Sequence, residues 1–286
     1  MRFSFTSVAV VLLILIGLAF IAWHEWRLLP DPHAVIVRFF DVGQGDSIFI
    51  TGPHGEQILV DGGPDLTALE DLGQSMPFFD RSIDWLILTH PHLDHVASFP
   101  EILKRYRVGH VLITGADYSN GRYEEFLSEL HDQNVPVMIA DPSKDLHFTD
   151  GLTLDVIYPP PIYFDKTVAH IHDTCIVFKM IYGSGSILFT GDAEAKTEQA
   201  LMNEHLNLHA DILKVGHHGS LTSSSSGFLL AVHPQLAIIS VGKGNTYGLP
   251  KQTILDRLTH FGIPYKTTMS GTITVTMNKE NWAFQQ

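Results

Sequence analysis

The residues best suited to chemistry lie in one run, His90-Pro-His92-Leu-Asp94-His95, which packs three imidazoles and a carboxylate into six positions. Thr89 ends the apolar run Trp85-Leu-Ile-Leu, and in an extended chain alternate side chains share one side. His90 and His92 can therefore bind one ion, and Pro91 keeps the pair extended by fixing φ. Asp94 and His95 sit where the chain turns into the next helix and reach a second ion on the other side. This mixture of nitrogen and oxygen donors suits zinc or manganese with coordination positions left open. The alternative is a polar loop that happens to hold three histidines, which leaves the density of the pattern without a cause.

Three more apolar runs end in ligand-type residues: Leu59-Val-Asp61-Gly-Gly, Leu188-Phe-Thr-Gly-Asp192 and Leu213-Lys-Val-Gly-His217-His218-Gly. A site at the edge of a sheet requires this arrangement. Asp192 can bridge two ions, His217 or His218 can complete the second site, and His172 can complete the first. His205-Leu-Asn-Leu-His209 has Leu206 where a metalloprotease helix needs its glutamate, so it reads as a solvated helix end. Lys104-Arg-Tyr-Arg107 closes a helix, where cations are favoured by the macrodipole. The run Gly242 to Gly248 is wrongly spaced for a nucleotide loop but can present Lys243, Asn245 and Tyr247 to a substrate. Cys175, the single cysteine, excludes an intramolecular disulfide and a multi-thiolate zinc site. Heading the run Cys175-Ile-Val-Phe178, it reads as a buried small hydrophobe rather than a nucleophile.

The elements that must position these residues can be read from periodicity. Val35 to Phe40, Ser47 to Thr51 and Gln57 to Val60 form an expected antiparallel meander. Strands are expected at Trp85 to Thr89, His110 to Ile113 and Val135 to Ile139, with helices at Phe99 to Tyr106 and Arg122 to Asp132. A second group repeats the habit. Its strands are Leu152 to Tyr158, Ile176 to Ile181, Ser186 to Phe189, Ile212 to Val215, Leu236 to Val241 and Thr272 to Met277. Its helices are Glu194 to Glu204 and Thr253 to His260. Two similar halves of this kind fit an α/β fold, an αββα sandwich of two packed mixed β-sheets with helices outside.

A chain of 286 residues with 45% hydrophobic residues supports one large core. Phe3 to Trp23 is uncharged and apolar, long enough for a hydrocarbon core of roughly 30 Å. With no convincing cleavage site after it, and with Trp23 and Trp26 suited to the interface, it reads as an uncleaved anchor. The expected organisation is a transmembrane helix over 1–26, a linker over 27–33 and one catalytic domain over 34–286. That gives a single-pass protein of the cell membrane, its domain facing outward. Arg2 and Arg27 flank the helix and leave the orientation weakly marked. Eighteen Lys and Arg against 31 Asp and Glu give a net charge of -13, which excludes broad phosphate neutralisation, so any nucleic acid must be held locally.

The run HPHLDH resembles the HxHxDH signature of the metallo-β-lactamase superfamily, with the other strand-end ligands in that superfamily's order. Asp41-Val-Gly-Gln-Gly-Asp46-Ser, Leu-Lys-Val-Gly-His-His-Gly-Ser220 and Ser240-Val-Gly-Lys-Gly-Asn245 look more narrowly like the hydrolase domain attached to the competence protein ComEC. The resemblance covers about Val35 to Met277. It implies one ion on His90, His92 and His172, and another on Asp94, His95 and His217 or His218. Asp192 would lie between them, with Asp61, Asp46 and Ser220 in support and Asp94 and Asp192 as the catalytic carboxylates. His172 falls where such domains commonly carry asparagine, Leu249 replaces a histidine, and the multi-span channel has no counterpart.

The expected activity is hydrolysis of a phosphodiester, possible substrates including DNA, by a water activated on two divalent ions, zinc or else manganese. Ser220 and the serines at 223 to 226 can donate to phosphate, or simply form a polar turn. Hydrolysis of a small ester, lactone or lactam is the second reading. A non-catalytic membrane-tethered module is the third, and the complete ligand set argues against it. The expected partners are the substrate and, through the N-terminal helix, the lipid bilayer; no protein partner is evident.

Overall fold

The computed structural model describes residues 5–204 and 206–286. The first four residues of the expected anchor, and His205 of the His205/His209 pair, lie outside the described residues. The first sheet holds β1 (Val35–Phe39), β2 (Ile48–Thr51), β3 (Gln57–Val60), β4 (Ser82–Ile87), β5 (Arg107–Ile113) and β6 (Val137–Ile139). The second holds β7 (Leu146–His147), β8 (Thr153–Tyr158), β9 (Val177–Tyr182), β10 (Gly185–Phe189), β11 (Ile212–Lys214), β12 (Leu236–Ile239) and β13 (Tyr265–Thr267). The chain then returns to the first sheet, adding β14 (Ile273–Met277) and β15 (Trp282–Gln285) beside β1. Both sheets are mixed. From β3 to β6 and from β10 to β13 the neighbours are parallel, and the remaining pairs are antiparallel.

Period-two alternation sends side chains into different cores. Val35, Val37 and Phe39 of β1, Ile58 and Val60 of β3, Ile187 and Phe189 of β10 and Ile238 of β12 meet between the sheets. Their neighbours Leu59 and Leu86 face outward under the helices α2 (Thr67–Ser75), α4 (Phe99–Arg105) and α5 (Gly121–Asp132). On the other side Leu188, Leu213 and Ile239 face α6 (Ala195–Asn203), α7 (Ser226–Val232) and α8 (Gln252–His260). These four layers are the αββα sandwich read from the sequence. Each large side chain so buried contributes roughly 1.5–3 kcal/mol.

The helix α2 and the short strands β7, β13 and β15 were not expected, nor were two short helices inside the nominated runs. A four-residue helix, α3 (Leu93–Val96), starts within the histidine run, and α7 starts within the serine run, capped by Ser225, whose side chain accepts from Phe228 N. Ahead of the sandwich, α1 (Phe5–Arg27) is long and apolar enough to cross a membrane, with mean hydropathy 2.0 over Ala9–Arg27.

Candidate metal centre

Parallel strands open a crevice beyond their carboxyl ends, and the nominated donors stand there. Asp61 follows β3, the histidine run follows β4, Asp192 follows β10, and His217 and His218 follow β11. His172 lies in the turn of 3₁₀ helix before β9, Ile171–Thr174. Gly45 lets the loop after β1 touch this rim, because a Cβ there would collide with the Asp94 carbonyl.

Two sets of donors converge. Ligand atoms of His90, His92 and His172 lie within 4.8 Å of one another, as do those of Asp94, His95, Asp192 and His218. A third grouping, His172, Asp192 and His217, overlaps both. Asp192 Oδ2 is 4.0 Å from the Nε2 atoms of His90 and His172, and 3.4 and 3.5 Å from those of His95 and His218.

Groups behind the imidazoles fix which nitrogen faces the crevice. His95 Nδ1 donates to Asp61 Oδ2 at 2.8 Å, and His218 Nδ1 donates to the Ser240 carbonyl at 2.9 Å. Asp61 is itself held by the amide and hydroxyl of Thr89, at 2.8 and 2.7 Å. Each ring therefore turns its Nε2 inward, the arrangement a metal-ligating histidine needs.

The donor set fits a divalent cation. Nε2 of His90, His95 and His218 and Oδ1 of Asp192 are buried without a hydrogen-bond partner among the described residues. Leaving such a group unpaired costs about 1–3 kcal/mol. Charge follows the same logic. Burial opposes charge on His95, but Asp192, Asp61 and Asp94 outweigh it and raise its pKa well above the ordinary value. Positive charge is stabilised at this point. Burial also opposes charge on Asp192, yet His218 and His95 hold it well below the carboxylate range. Burial and then His172 push His92 down to about 4, leaving it neutral and able to ligate.

Residues 40–243 match the family model of the metallo-beta-lactamase superfamily. The chain belongs to that superfamily. It is 32% identical over 255 residues to ComE operon protein 3 of Bacillus subtilis, covering 83% of this chain and 32% of that protein. Recombination protein 2 of Haemophilus influenzae is 29% identical over 256 residues, covering 87% and 30%. The chain thus spans about a third of the length of these curated relatives. Among solved structures, the metallo-beta-lactamase fold protein YhfI of Bacillus subtilis gives a TM-score of 0.56 at 14% identity, over 85% of this chain and 100% of that one. The sandwich is therefore the superfamily's fold, and the chain is a metal-dependent hydrolase.

Within this superfamily site, the two neighbouring histidines part company. His218 is buried in the second donor set. His217 stands at the mouth, its Nδ1 3.1 Å from both Glu194 Oε1 and Thr222 Oγ1. Asp46 lies behind His218 and His95, at 3.6 and 4.0 Å from their Nδ1 atoms, and is paired with the buried Lys214 ammonium at 2.5 Å. Ser220 Oγ is beside the mouth, 3.1 Å from Thr222 Oγ1.

Some expectations need correction. Ser223 Oγ is spent on the Gly216 carbonyl, the Ser224 and Ser225 amides on Glu198, and Ser225 Oγ on the α7 cap, so these three brace the turn. Asn245 hydrogen-bonds to the backbone of Gly242 and Leu249 and closes its own loop instead of facing a substrate. Leu249 is buried in the outer core. Arg107 begins β5, so only Lys104 and Arg105 close the helix α4. Cys175 is buried as expected, and burial pushes its thiol up to about 12.

Sequence reasoning missed Glu194, Thr222 and Lys214. A lysine inside the apolar run Ile212-Leu-Lys-Val215 was the available signal for Lys214, since a buried ammonium requires a partner.

Proposed function

We propose that the chain hydrolyses phosphodiester bonds in nucleic acid. One ion is assigned to His90, His92 and His172 and another to Asp94, His95 and His218, with Asp192 between them; zinc is the leading metal and manganese the alternative. The observation that carries this reading is the pair of donor sets set side by side, with the buried Asp192 carboxylate of the second lying 4.0 Å from His90 and His172 of the first. The relative named for recombination, with the resemblance to the competence-protein hydrolase domain, supports nucleic acid as the class. Two divalent ions in such a site lower the pKa of water towards neutrality and stabilise charge on phosphoryl oxygens.

The chain's own groups complete the chemistry. Burial disfavours charge on Asp94, but His95 and His218 bring its pKa down to about 2. It therefore acts as an acceptor that orients the attacking water, not as a strong base. His217, steadied by Glu194 and Thr222, and the Ser220 hydroxyl line the entrance and hydrogen-bond the phosphate. We assign α1 as the membrane anchor.

The charge of -13 favours a second reading, hydrolysis of a small neutral ester, lactone or lactam. The test is turnover by the purified, metal-loaded full chain of single-stranded DNA, double-stranded DNA, a chromogenic phosphodiester and a carboxylic ester. The phosphodiesters should be cleaved. Asp192→Asn should lower that rate by about a thousandfold, roughly 4 kcal/mol of transition-state stabilisation. Cleavage of the ester alone would overturn the phosphodiesterase reading.

A further inference from the structure

The turn Pro77-Phe-Phe-Asp80 carries two phenylalanines where turns ordinarily carry Gly, Asn, Asp or Ser. It is closed by a hydrogen bond from Asp80 N to the Pro77 carbonyl at 2.9 Å. At its tip Phe78 is 63% and Phe79 87% exposed, the rings edge to face with centroids 5.1 Å apart. The acid in the turn points inward. Asp80 Oδ1 accepts from Ser82 Oγ at 2.7 Å, and Oδ2 from Gln57 Nε2 at 2.6 Å. The tip is thus apolar, with the Arg81 guanidinium 5.6 Å from the Phe78 ring.

This tip adjoins the end of α1. The Phe78 amide donates to Glu25 Oε2 at 2.7 Å, in the same stretch as the exposed Trp23 and Trp26. Scattered exposed apolar residues need no explanation, but a patch continuous with a span-length apolar helix does. Aromatic side chains at the end of a span sit at the level of the lipid headgroups.

We infer that Phe78 and Phe79 enter the lipid interface beside α1, so that the hydrolase domain rests on the bilayer at two points. The inference rests on the reading of α1 as a membrane span. It also orients the site. β4 begins at Ser82, directly after the turn, and its far end leads to His90. Those eight residues carry the chain roughly 25 Å at the usual strand rise. The metal centre therefore faces the aqueous phase and soluble substrates, not the acyl chains below.

The test uses the full chain reconstituted in vesicles of phosphatidylcholine and phosphatidylglycerol. Single cysteines at Phe79→Cys, Ala19→Cys within α1 and Lys243→Cys beyond the metal centre carry an environment-sensitive dye, and lipid-borne nitroxides quench it. The buried Cys175 stays unlabelled. Several-fold quenching at positions 79 and 19, with none at 243, is the expected result. Quenching at 19 without quenching at 79 overturns the inference while the span stands. Quenching at none of the three overturns the span and the inference together. Equal quenching at 79 and 243 overturns the orientation.

Discussion

A carboxylate behind an imidazole decides which ring nitrogen a cation meets, and Asp61 has that place behind His95. Asp61→Asn removes the charge while keeping the shape, so metal affinity should fall about 10–100-fold, read by competition with a zinc chelator. Activity at saturating metal should fall much less. Lys214 poses a different question, because its fully buried ammonium meets Asp46. Lys214→Met leaves that carboxylate uncompensated and should cost about 3–5 kcal/mol in chemical denaturation. The strand-end donors were legible because ligand-type residues interrupt apolar runs. The choice between His217 and His218 was not, since both share one Gly-flanked pair. Their left-handed backbone, φ 46° and 52°, sends one ring to the mouth and the other inward. Glu194 and Thr222 were hidden for a related reason. Their meaning lies in partners brought together only by the fold.

An element can hold a site through its cap. Asn120 caps α5 by accepting from Tyr123 N at 2.8 Å, and its amide nitrogen donates to the Pro91 carbonyl at 2.6 Å, inside the histidine run. Asn120→Ala should therefore cost about 1 kcal/mol and also loosen His90 and His92. The check is thermal unfolding with and without metal: the loss should be larger in the metal-loaded protein. A cap acting on α5 alone would give equal losses. At this scale the sequence was informative wherever alternation was strong, as in Val35-Ile-Val-Arg-Phe39, whose buried residues all face the second sheet. It was silent on β7, β13 and β15, runs of two to four residues, too short for a period to show. The antiparallel meander of β1 to β3 was legible, but where each sheet turns parallel was not, because hydrogen-bond direction leaves little trace in a half-dozen residues. That division matters, for it gathers the carboxyl ends of β3, β4, β10 and β11 around one crevice.

The charge of the whole molecule bears on substrate. At -13 it presents a repulsive field to a polyanion, and the basic run at Lys104 offers no relief. That ammonium is 3.3, 2.9 and 3.6 Å from Glu101, Glu125 and Glu129. A nuclease with a basic groove weakens as salt rises, because released counterions drive its binding. This chain should do the opposite. Between 10 and 100 mM salt the screening length falls from about 30 to about 10 Å, which removes most of the distant repulsion while leaving contacts at the metal centre. For a short single-stranded DNA, kcat/KM should therefore rise about threefold over that range. A neutral ester should respond by less than about twofold, since it has no charge to screen. Measuring both substrates against salt separates encounter from chemistry: a shared response would place the effect on the catalytic step. A steep fall for DNA alone would instead require a local cationic track strong enough to overcome the molecule's acidity.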